Sequence, residues 1–215
     1  MPHDHHDDFQ VEPIPGLPEA LPQGEEILWQ GRPSWIALAV EAFGVLWVAA
    51  ITLGLAAWRV IAAFAGAPWE ANIALAIAIA ILGGGLAAVL CLAAWLQARE
   101  TVYTLTTGRV VMRFGVMQTM KLQIPFNRIR NAALSIGRSG AGTIALDITG
   151  AGNLSYILSW PHVRPWHTRP MQPALRCIAG AQDVAQLLAE AAETALTAPT
   201  IDRTPAYAAA ATAAE

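Results

Sequence analysis

The N-terminal segment contains a dense group of side chains that can bind metal ions. Residues 3–8, HDHHDD, supply imidazole nitrogens and carboxylate oxygens, which are ligands of zinc and other divalent cations. No surrounding framework with the spacing of a structural metal site is present, and the nearby prolines and acidic residues predict a solvated tail. We therefore predict no metal site in the fold. Two interpretations of the segment remain: a solvated tail, or adventitious or regulatory metal binding.

No other pattern indicates catalysis. The stretch GRSGAG, residues 137–142, has the glycine content of a phosphate-binding loop. It lacks the adjacent lysine and serine or threonine of such a loop and precedes a predicted strand, so a hairpin turn is the better interpretation. We also find no nucleophilic serine motif, no zinc-ligand spacing and no paired carboxylates at the end of a span. We expect a protein that is not an enzyme and has no cofactor.

The stretch WPHVRPWHTRPMQPALR, residues 160–176, is the most unusual polar part of the chain. Its four prolines disfavour regular secondary structure and favour an extended conformation. Tryptophan and arginine are the residue types that dominate interface energies. Either the stretch is a linker that wraps a sheet, its histidines being hydrogen-bonded loop residues, or it docks on a partner or on the membrane. The candidate partner-binding residues are Trp160, His162, Arg164, Trp166, His167 and Arg169.

Two long apolar segments precede this polar part. The chain is 55% hydrophobic and only 13% charged, whereas about 25% of residues are charged in a typical soluble domain. Residues 42–58 and 71–98 contain no charged side chain, which predicts two transmembrane helices at about 35–64 and 72–97. The acidic and polar start of the chain does not have the pattern of a cleavable signal peptide.

Tryptophans and glycines mark the surfaces of the two predicted spans. Indole rings favour the membrane interfaces, where basic side chains also contact anionic lipid. The candidate membrane-surface residues are Trp35, Trp58, Trp69, Trp95, Arg99, Arg109 and Arg113. The run Gly83, Gly84 and Gly85 allows close helix packing. Its partner is the first helix of the same hairpin, a second copy of the chain in a homodimer, or another membrane subunit.

Charge is distributed unevenly along the chain. Residues 1–41 carry eight acidic side chains and one basic one, whereas residues 99–176 carry ten basic side chains against two acidic ones. Because Arg59 alone lies near the turn of the hairpin, the positive-inside rule predicts that both termini are cytoplasmic. The basic segment can attract anionic membrane lipid or an acidic subunit. Nucleic acid is not an expected partner, since the whole chain is acidic and membrane-bound.

The segment after the second span has the pattern of a small β domain. Runs such as RVVMRF, TIALDI and LSYILSW alternate apolar and polar side chains, which predicts about six short antiparallel strands in a barrel or sandwich. An apolar stripe over residues 183–196 predicts a closing helix. The predicted fold class is therefore membrane α+β. Its parts are an extended tail at 1–34, a helical hairpin at 35–98, a β domain at 99–197 and a disordered tail at 198–215.

This arrangement resembles the bacterial pleckstrin-homology-like (PH-like) domain proteins. The resemblance is carried by GEEILWQGRPSW, residues 24–35, and TVYTLTTGRVVMRFG, residues 101–115. A narrower resemblance is to the photosynthetic-complex assembly proteins of purple and related phototrophic bacteria. It adds EPIPGLPEALPQ at 12–23, LQIPFNRI at 122–129 and WPHVRPWHTRPMQPALRCI at 160–178, and it covers most of residues 11–190. That family has been described with three spans, whereas this sequence predicts two.

The resemblance implies a PH-like domain and a non-catalytic role in building the photosynthetic reaction centre, with an indirect effect on the core light-harvesting antenna. The implied partners are reaction-centre subunits, with the core antenna and a second copy of the chain as further candidates. The implied location is the bacterial inner or intracytoplasmic photosynthetic membrane. Residues 35–98 contain no histidine, so we do not expect a stoichiometric bacteriochlorophyll-binding subunit. The alternative function is a PH-like module that binds lipid surfaces and is not specific to photosynthesis.

Overall fold

The computed structural model describes residues 21–22, 24–115, 120–137, 140–150, 156–168 and 171–197. Eight strands and five α-helices lie within these residues. In chain order they are β1 (Ile27–Gly31), α1 (Trp35–Glu41), α2 (Val45–Phe64), α3 (Trp69–Glu100), β2 (Val102–Thr106), β3 (Arg109–Phe114), β4 (Met120–Pro125), a 3₁₀ turn (Phe126–Arg128), β5 (Ile129–Ile136), β6 (Gly142–Ile148), α4 (Tyr156–Ser159), β7 (Val163–Thr168), β8 (Met171–Ile178) and α5 (Ala181–Thr197).

The strands form two four-stranded antiparallel sheets. The first has the order β1-β2-β3-β4 and the second the order β5-β6-β8-β7. The sequence predicts a barrel or sandwich of about six antiparallel strands with a closing helix. Antiparallel pairing and the C-terminal helix are confirmed, but the described strands form two separate sheets that are not joined into a closed barrel. Consequently β4 and β5 are edge strands, and α5 packs beside β5 and β6.

One hydrophobic core joins both sheets to α5. The alternation in β3 places Val110, Met112 and Phe114 in this core, as the pattern of the sequence predicts. From the second sheet, Ile144 and Leu146 of β6 contribute to the same core. Full burial of an aliphatic side chain of this size stabilises a fold by roughly 1.5–3 kcal/mol. The core therefore fixes which face of each sheet points inward.

The helices α2 and α3 form a long apolar hairpin. They contain 20 and 32 residues, and both are long and apolar enough to cross a membrane by length and composition. Their outer side chains are largely exposed, including Trp47 at 75% and Leu82 at 74%. At the turn, the Phe64 and Trp69 rings meet edge to face with centroids 5.1 Å apart. The hairpin thus packs on itself while leaving a broad apolar surface uncovered.

The predicted helix at 35–64 is two helices, because the chain turns sharply at Gly44. This residue has a φ of 64°, a left-handed conformation that suits glycine and interrupts an α-helix. Helix α1 buries Ala37 and Leu38 with Ala98, near the end of α3. The continuous apolar helix therefore begins at Val45, and α1 packs with the β domain. The second helix, predicted at 72–97, extends three residues further at each end.

The predicted boundary between tail and domain at residue 34 is also wrong. Residues 27–31 form β1, which pairs with β2 in the first sheet. The apolar residues of this segment favour docking on a partner surface, and the partner is the chain's own sheet. The HDHHDD segment and the predicted disordered tail at 198–215 lie outside the described residues.

Two further predictions about secondary structure are wrong. Residues Tyr156–Ser159 of the predicted strand LSYILSW are helical, as α4. The proline-rich stretch forms β7 and β8 instead of an irregular linker. Proline is tolerated at sheet edges and at irregular pairings. Pro165 lies in an edge strand, and the β7–β8 register is interrupted between Val163 and Thr168.

Within the glycine run of α3, Gly83 is the close contact between the two long helices. A Cβ at Gly83 would overlap with the side chain of Thr52 in α2, whereas a Cβ at Gly84 or Gly85 would meet open space. The sequence leaves three candidate packing partners for the glycine run. For Gly83, the partner is the first helix of the same hairpin.

We expect Gly83→Val to destabilise the hairpin, because the added side chain must displace Thr52 or separate the helices. Overpacking of this kind costs about 1–3 kcal/mol. The same substitution at Gly54 of α2 is the matched control, since it carries the same change in helix propensity into open space. The thermal midpoint of the helical circular dichroism signal in detergent measures the difference. Equal midpoints for Gly83→Val and Gly54→Val would contradict this assignment of the contact.

Candidate functional site

A buried polar cluster lies where the long helix α3 continues into β2. Its centre is His162, whose side chain is 1% exposed. The Nε2 atom of His162 lies 3.1 Å from Thr101 Oγ1, and the Nδ1 atom lies 2.6 Å from the Tyr103 hydroxyl. The imidazole also packs against Phe114, with ring centroids 5.0 Å apart. Both ring nitrogens therefore have partners inside the protein.

The directions of these hydrogen bonds follow from their neighbours. The Thr101 hydroxyl donates to the carbonyl of Gln97 at 2.7 Å, so it accepts from His162 Nε2–H. The Nδ1 atom then accepts from the Tyr103 hydroxyl, which itself accepts from the Arg176 backbone N–H at 3.3 Å. This chain of donors runs from β8 through β2 to the last turn of α3 and requires a neutral imidazole.

Burial reinforces the neutral state of the cluster. It lowers the pKa of His162 to about 3, with the nearby positive charge of Arg176 adding to the effect. Burial likewise raises the pKa of Tyr103 above its ordinary value. Because neither group changes charge near neutral pH, the cluster is suited to holding structure in place rather than to proton transfer.

Arg176 and Cys177 connect β8 to helix α1. The buried Arg176 guanidinium donates to the carbonyls of Pro161 and Glu41, at 3.2 and 3.5 Å. The Cys177 thiol donates to the Glu41 carboxylate at 3.7 Å, and the Cys177 carbonyl accepts from the backbone N–H of Ser34 at 2.7 Å. Burial is the main cause that raises the pKa of Cys177 to about 12, so this thiol stays protonated and poorly reactive.

The predicted partner-binding residues separate into different environments. His162 is buried, so its prediction as a surface contact is wrong. Trp160 is 38% exposed and meets Phe43 edge to face at 4.9 Å. His167 is exposed, and the half-buried Arg164 donates to Gln172 Oε1 at 3.0 Å. The side chain of Trp166 and all of Arg169 lie outside the described residues.

The candidate membrane-surface residues also lie in different environments. Trp58, Trp69 and Trp95 are exposed on the long helices, whereas Trp35 is exposed on α1. The Arg99 guanidinium lies 5.3 Å from the centroid of the Trp95 ring, within the range of a cation–π contact.

Arg109 and Arg113 are partly enclosed by the first sheet. The guanidinium of Arg109 pairs with Glu25, with Nε 2.9 Å from Oε1, and also donates to Gln123. It holds the pKa of the Glu25 carboxyl below its usual range. Arg109 thus holds the segment that precedes β1 against the first sheet, and this ion pair accounts for its position without a membrane contact. Arg113 is half-buried on β3.

Two cavities on either side of Glu41 were not evident from the sequence. One, of about 710 Å³, follows the α1–α2 junction and is lined by Phe43, Leu46 and Trp47. The other, of about 420 Å³, lies against the second sheet and is lined by Arg164, His167 and Arg176, among others. The sequence offers one signal for them, since Glu41 and Gly44 lie near the start of the predicted span at 35–64, whose one other charged residue is Arg59. Among the described residues, no group of three His, Cys, Asp or Glu side chains is placed to hold a metal ion.

Comparison with known proteins gives two matches. Residues 35–192 match the model of a family described as a bacterial PH domain. An uncharacterized 23.7 kDa protein in the puhA 5′ region of Rhodobacter capsulatus is 42% identical over 205 residues, which cover 92% of this chain and 94% of that protein. No solved structure matches the chain.

The His162 network predicts a pH dependence of stability. The unfolded chain protonates this histidine near pH 6.5, whereas the folded chain does so only near pH 3. Between these pH values the unfolded state binds more protons than the folded state. The contribution of His162 to the free energy of unfolding is therefore fully present above pH 6.5 and decreases as the pH falls. We expect the thermal midpoint of the full chain in detergent to decrease from about pH 7 to about pH 5. Glu25, whose ordinary pKa is 4.5 and is lowered in the fold, loses its stabilising effect only at lower pH.

A matched pair of variants isolates this effect. In His162→Gln the titrating group is absent, so we expect a lower midpoint at neutral pH but a flatter dependence between pH 7 and pH 5. The loss at neutral pH should be about 1–3 kcal/mol, because buried hydrogen-bonding groups lose their partners. Tyr103→Phe removes the two hydrogen bonds of the hydroxyl, to His162 and from the Arg176 backbone N–H, but retains the histidine, so it should keep a pH slope. An unchanged slope in His162→Gln would show that another group is responsible.

Proposed function

This chain belongs to the bacterial PH domain family, and we propose that it is a membrane-anchored, non-catalytic assembly factor for the photosynthetic reaction centre. In this role it affects the core light-harvesting complex indirectly. The observation that carries the proposal is the 42% identity, over nearly the whole length of both chains, to the Rhodobacter capsulatus protein. That protein is named for its position in the 5′ region of puhA, a reaction-centre gene.

The apolar hairpin supports a membrane anchor. Helix α2 has 20 residues, equivalent to about 30 Å, the thickness of a hydrocarbon core. Exposed tryptophans on both helices are suited to the interfaces. Because α1 and the end of α3 both pack with the β domain, that domain lies at the open end of the hairpin. The proposed location is the bacterial inner or intracytoplasmic photosynthetic membrane, with both termini cytoplasmic by the positive-inside rule.

Transient binding of reaction-centre subunits would use surfaces beside this junction. Trp160 is the strongest candidate, because it is a large, partly exposed aromatic residue next to the start of α2. Within the span, Gly84 and Gly85 leave open backbone on α3 that a partner helix, or a second copy of this chain, can approach. These features suit contact with partly assembled membrane subunits at the cytoplasmic surface.

The alternative function is a PH-like module that binds anionic lipid surfaces without any photosynthetic partner. The stacking of Arg99 on Trp95 at the end of α3 favours it, since both side chains are suited to the headgroup region. The two functions differ in their consequence for the cell. A general lipid-surface module predicts that reaction-centre levels do not depend on this chain.

The test is deletion of the gene in its own phototrophic host, followed by complementation. We expect deletion to lower the amount of reaction centre per cell several-fold and the wild-type gene to restore it. Complementation with Trp160→Ala should restore it poorly, although the protein accumulates normally. Loss of an interface hot spot costs about 2 kcal/mol, or roughly thirtyfold in affinity. Reaction-centre absorbance in membranes and an immunoblot of the protein measure the two quantities.

Leu196→Ala is the matched control, because Leu196 is an exposed large apolar residue on α5. It should complement as well as the wild-type gene. If the deletion strain has wild-type reaction-centre levels, the assembly role is wrong and the lipid-surface module is favoured. If Trp160→Ala lowers protein and reaction centre equally, Trp160 supports the fold and is not the docking residue.

A further inference from the structure

The outer face of the second sheet carries smaller side chains than its core face. In β5 and β6 the cross-strand pairs Ser135–Thr143 and Ala133–Ala145 lie on this outer face. Ile144 and Leu146, with the opposite orientation, lie in the core. Because the outer-face side chains are small, they leave the 420 Å³ cavity, which they line together with residues of β7 and β8.

The walls of this cavity carry more positive than negative groups. Arg164 and Arg176 each contribute a guanidinium, His167 contributes an imidazole and Glu41 a carboxylate. Among the described lining residues, the guanidiniums therefore outnumber the carboxylate two to one. Arg176 is only 5% exposed, and its Nε has no hydrogen-bond partner within the described part of the chain. A buried guanidinium donor of this kind is suited to an anionic oxygen.

The neighbouring 710 Å³ cavity is mostly apolar. It begins at Glu41, the wall that the two cavities share, and continues along Phe43, Leu46, Trp47 and Ala50 at the start of α2. Gly137 lines its other side, where a Cβ would overlap with the Glu41 carboxylate. A polar, cation-lined cavity thus adjoins an apolar groove at the place where the proposed membrane anchor begins.

We propose that the two cavities together bind one anionic glycerophospholipid. Its phosphate lies with Arg164 and Arg176, and one acyl chain follows the groove along Leu46 and Ala50. The glycerol hydroxyls of a phosphatidylglycerol headgroup can donate to Glu41, and the net negative charge of this lipid suits the two guanidiniums better than a zwitterionic headgroup does. The site rests on the proposed membrane location but not on a photosynthetic role.

The test uses the full chain purified in detergent, with lipid binding measured by native mass spectrometry. We expect one phosphatidylglycerol to bind more tightly than phosphatidylethanolamine, and glycerol 3-phosphate to compete poorly because it has no acyl chain. Arg164→Gln should weaken phosphatidylglycerol binding about tenfold, the loss expected for a charged hydrogen bond. Arg128→Gln, at an exposed arginine outside both cavities, is the charge-matched control and should bind normally.

A second pair of variants tests the groove without changing charge. Ala50→Phe should reduce binding because it fills the groove, whereas Ala57→Phe, at an exposed alanine elsewhere on α2, should not.

Equal weakening by Arg164→Gln and Arg128→Gln would overturn the site in favour of a diffuse electrostatic surface. Full competition by glycerol 3-phosphate would assign the cavity to a free phosphate compound, and preference for phosphatidylethanolamine would overturn the charge argument. None of these outcomes depends on reaction-centre assembly, so each is separable from failure of the assembly role.

Discussion

The hydrogen-bond chain through His162 is the constraint on which the architecture depends. It joins the backbone of Arg176 in the second sheet to Tyr103 in the first sheet, and through Thr101 to the last turn of α3. Each group in this chain is buried, so an unpaired member would cost about 1–3 kcal/mol. Helix α3 therefore continues directly into β2 at a fixed position, and the two sheets are coupled to the helical hairpin through the same imidazole.

This coupling determines what the protein can present at a membrane. Helix α1 packs against the end of α3 and against β8, so the start of α2 and the outer face of the second sheet are held next to each other. The exposed Trp160 and the two cavities around Glu41 therefore lie at the same junction. In the proposed assembly role, such a junction would hold a membrane partner or a lipid in a defined orientation.

Local patterns in the sequence predicted the parts of the fold that local physics controls. The charge-free runs located both long helices, and the alternation in β3 placed Val110, Met112 and Phe114 on one face, which is the face in the core. The errors arose where distant contacts decide. The break at Gly44 depends on packing of α1 against the β domain, and the proline-rich stretch forms strands because its partners tolerate an interrupted register. A polar residue such as His162 is expected at the surface, and its burial is favourable because Thr101 and Tyr103 bond to its two ring nitrogens.

The measurement that tests the central claim most directly is purification of the tagged full-length chain from cells that are building photosynthetic membranes. Mild detergent extraction, proteomics and a pigment spectrum would identify what is bound. The assembly role predicts substoichiometric reaction-centre subunits that disappear when pigment synthesis is blocked. Recovery of the chain with lipid alone, and no reaction-centre subunit under either condition, would contradict that role and leave the membrane-surface function.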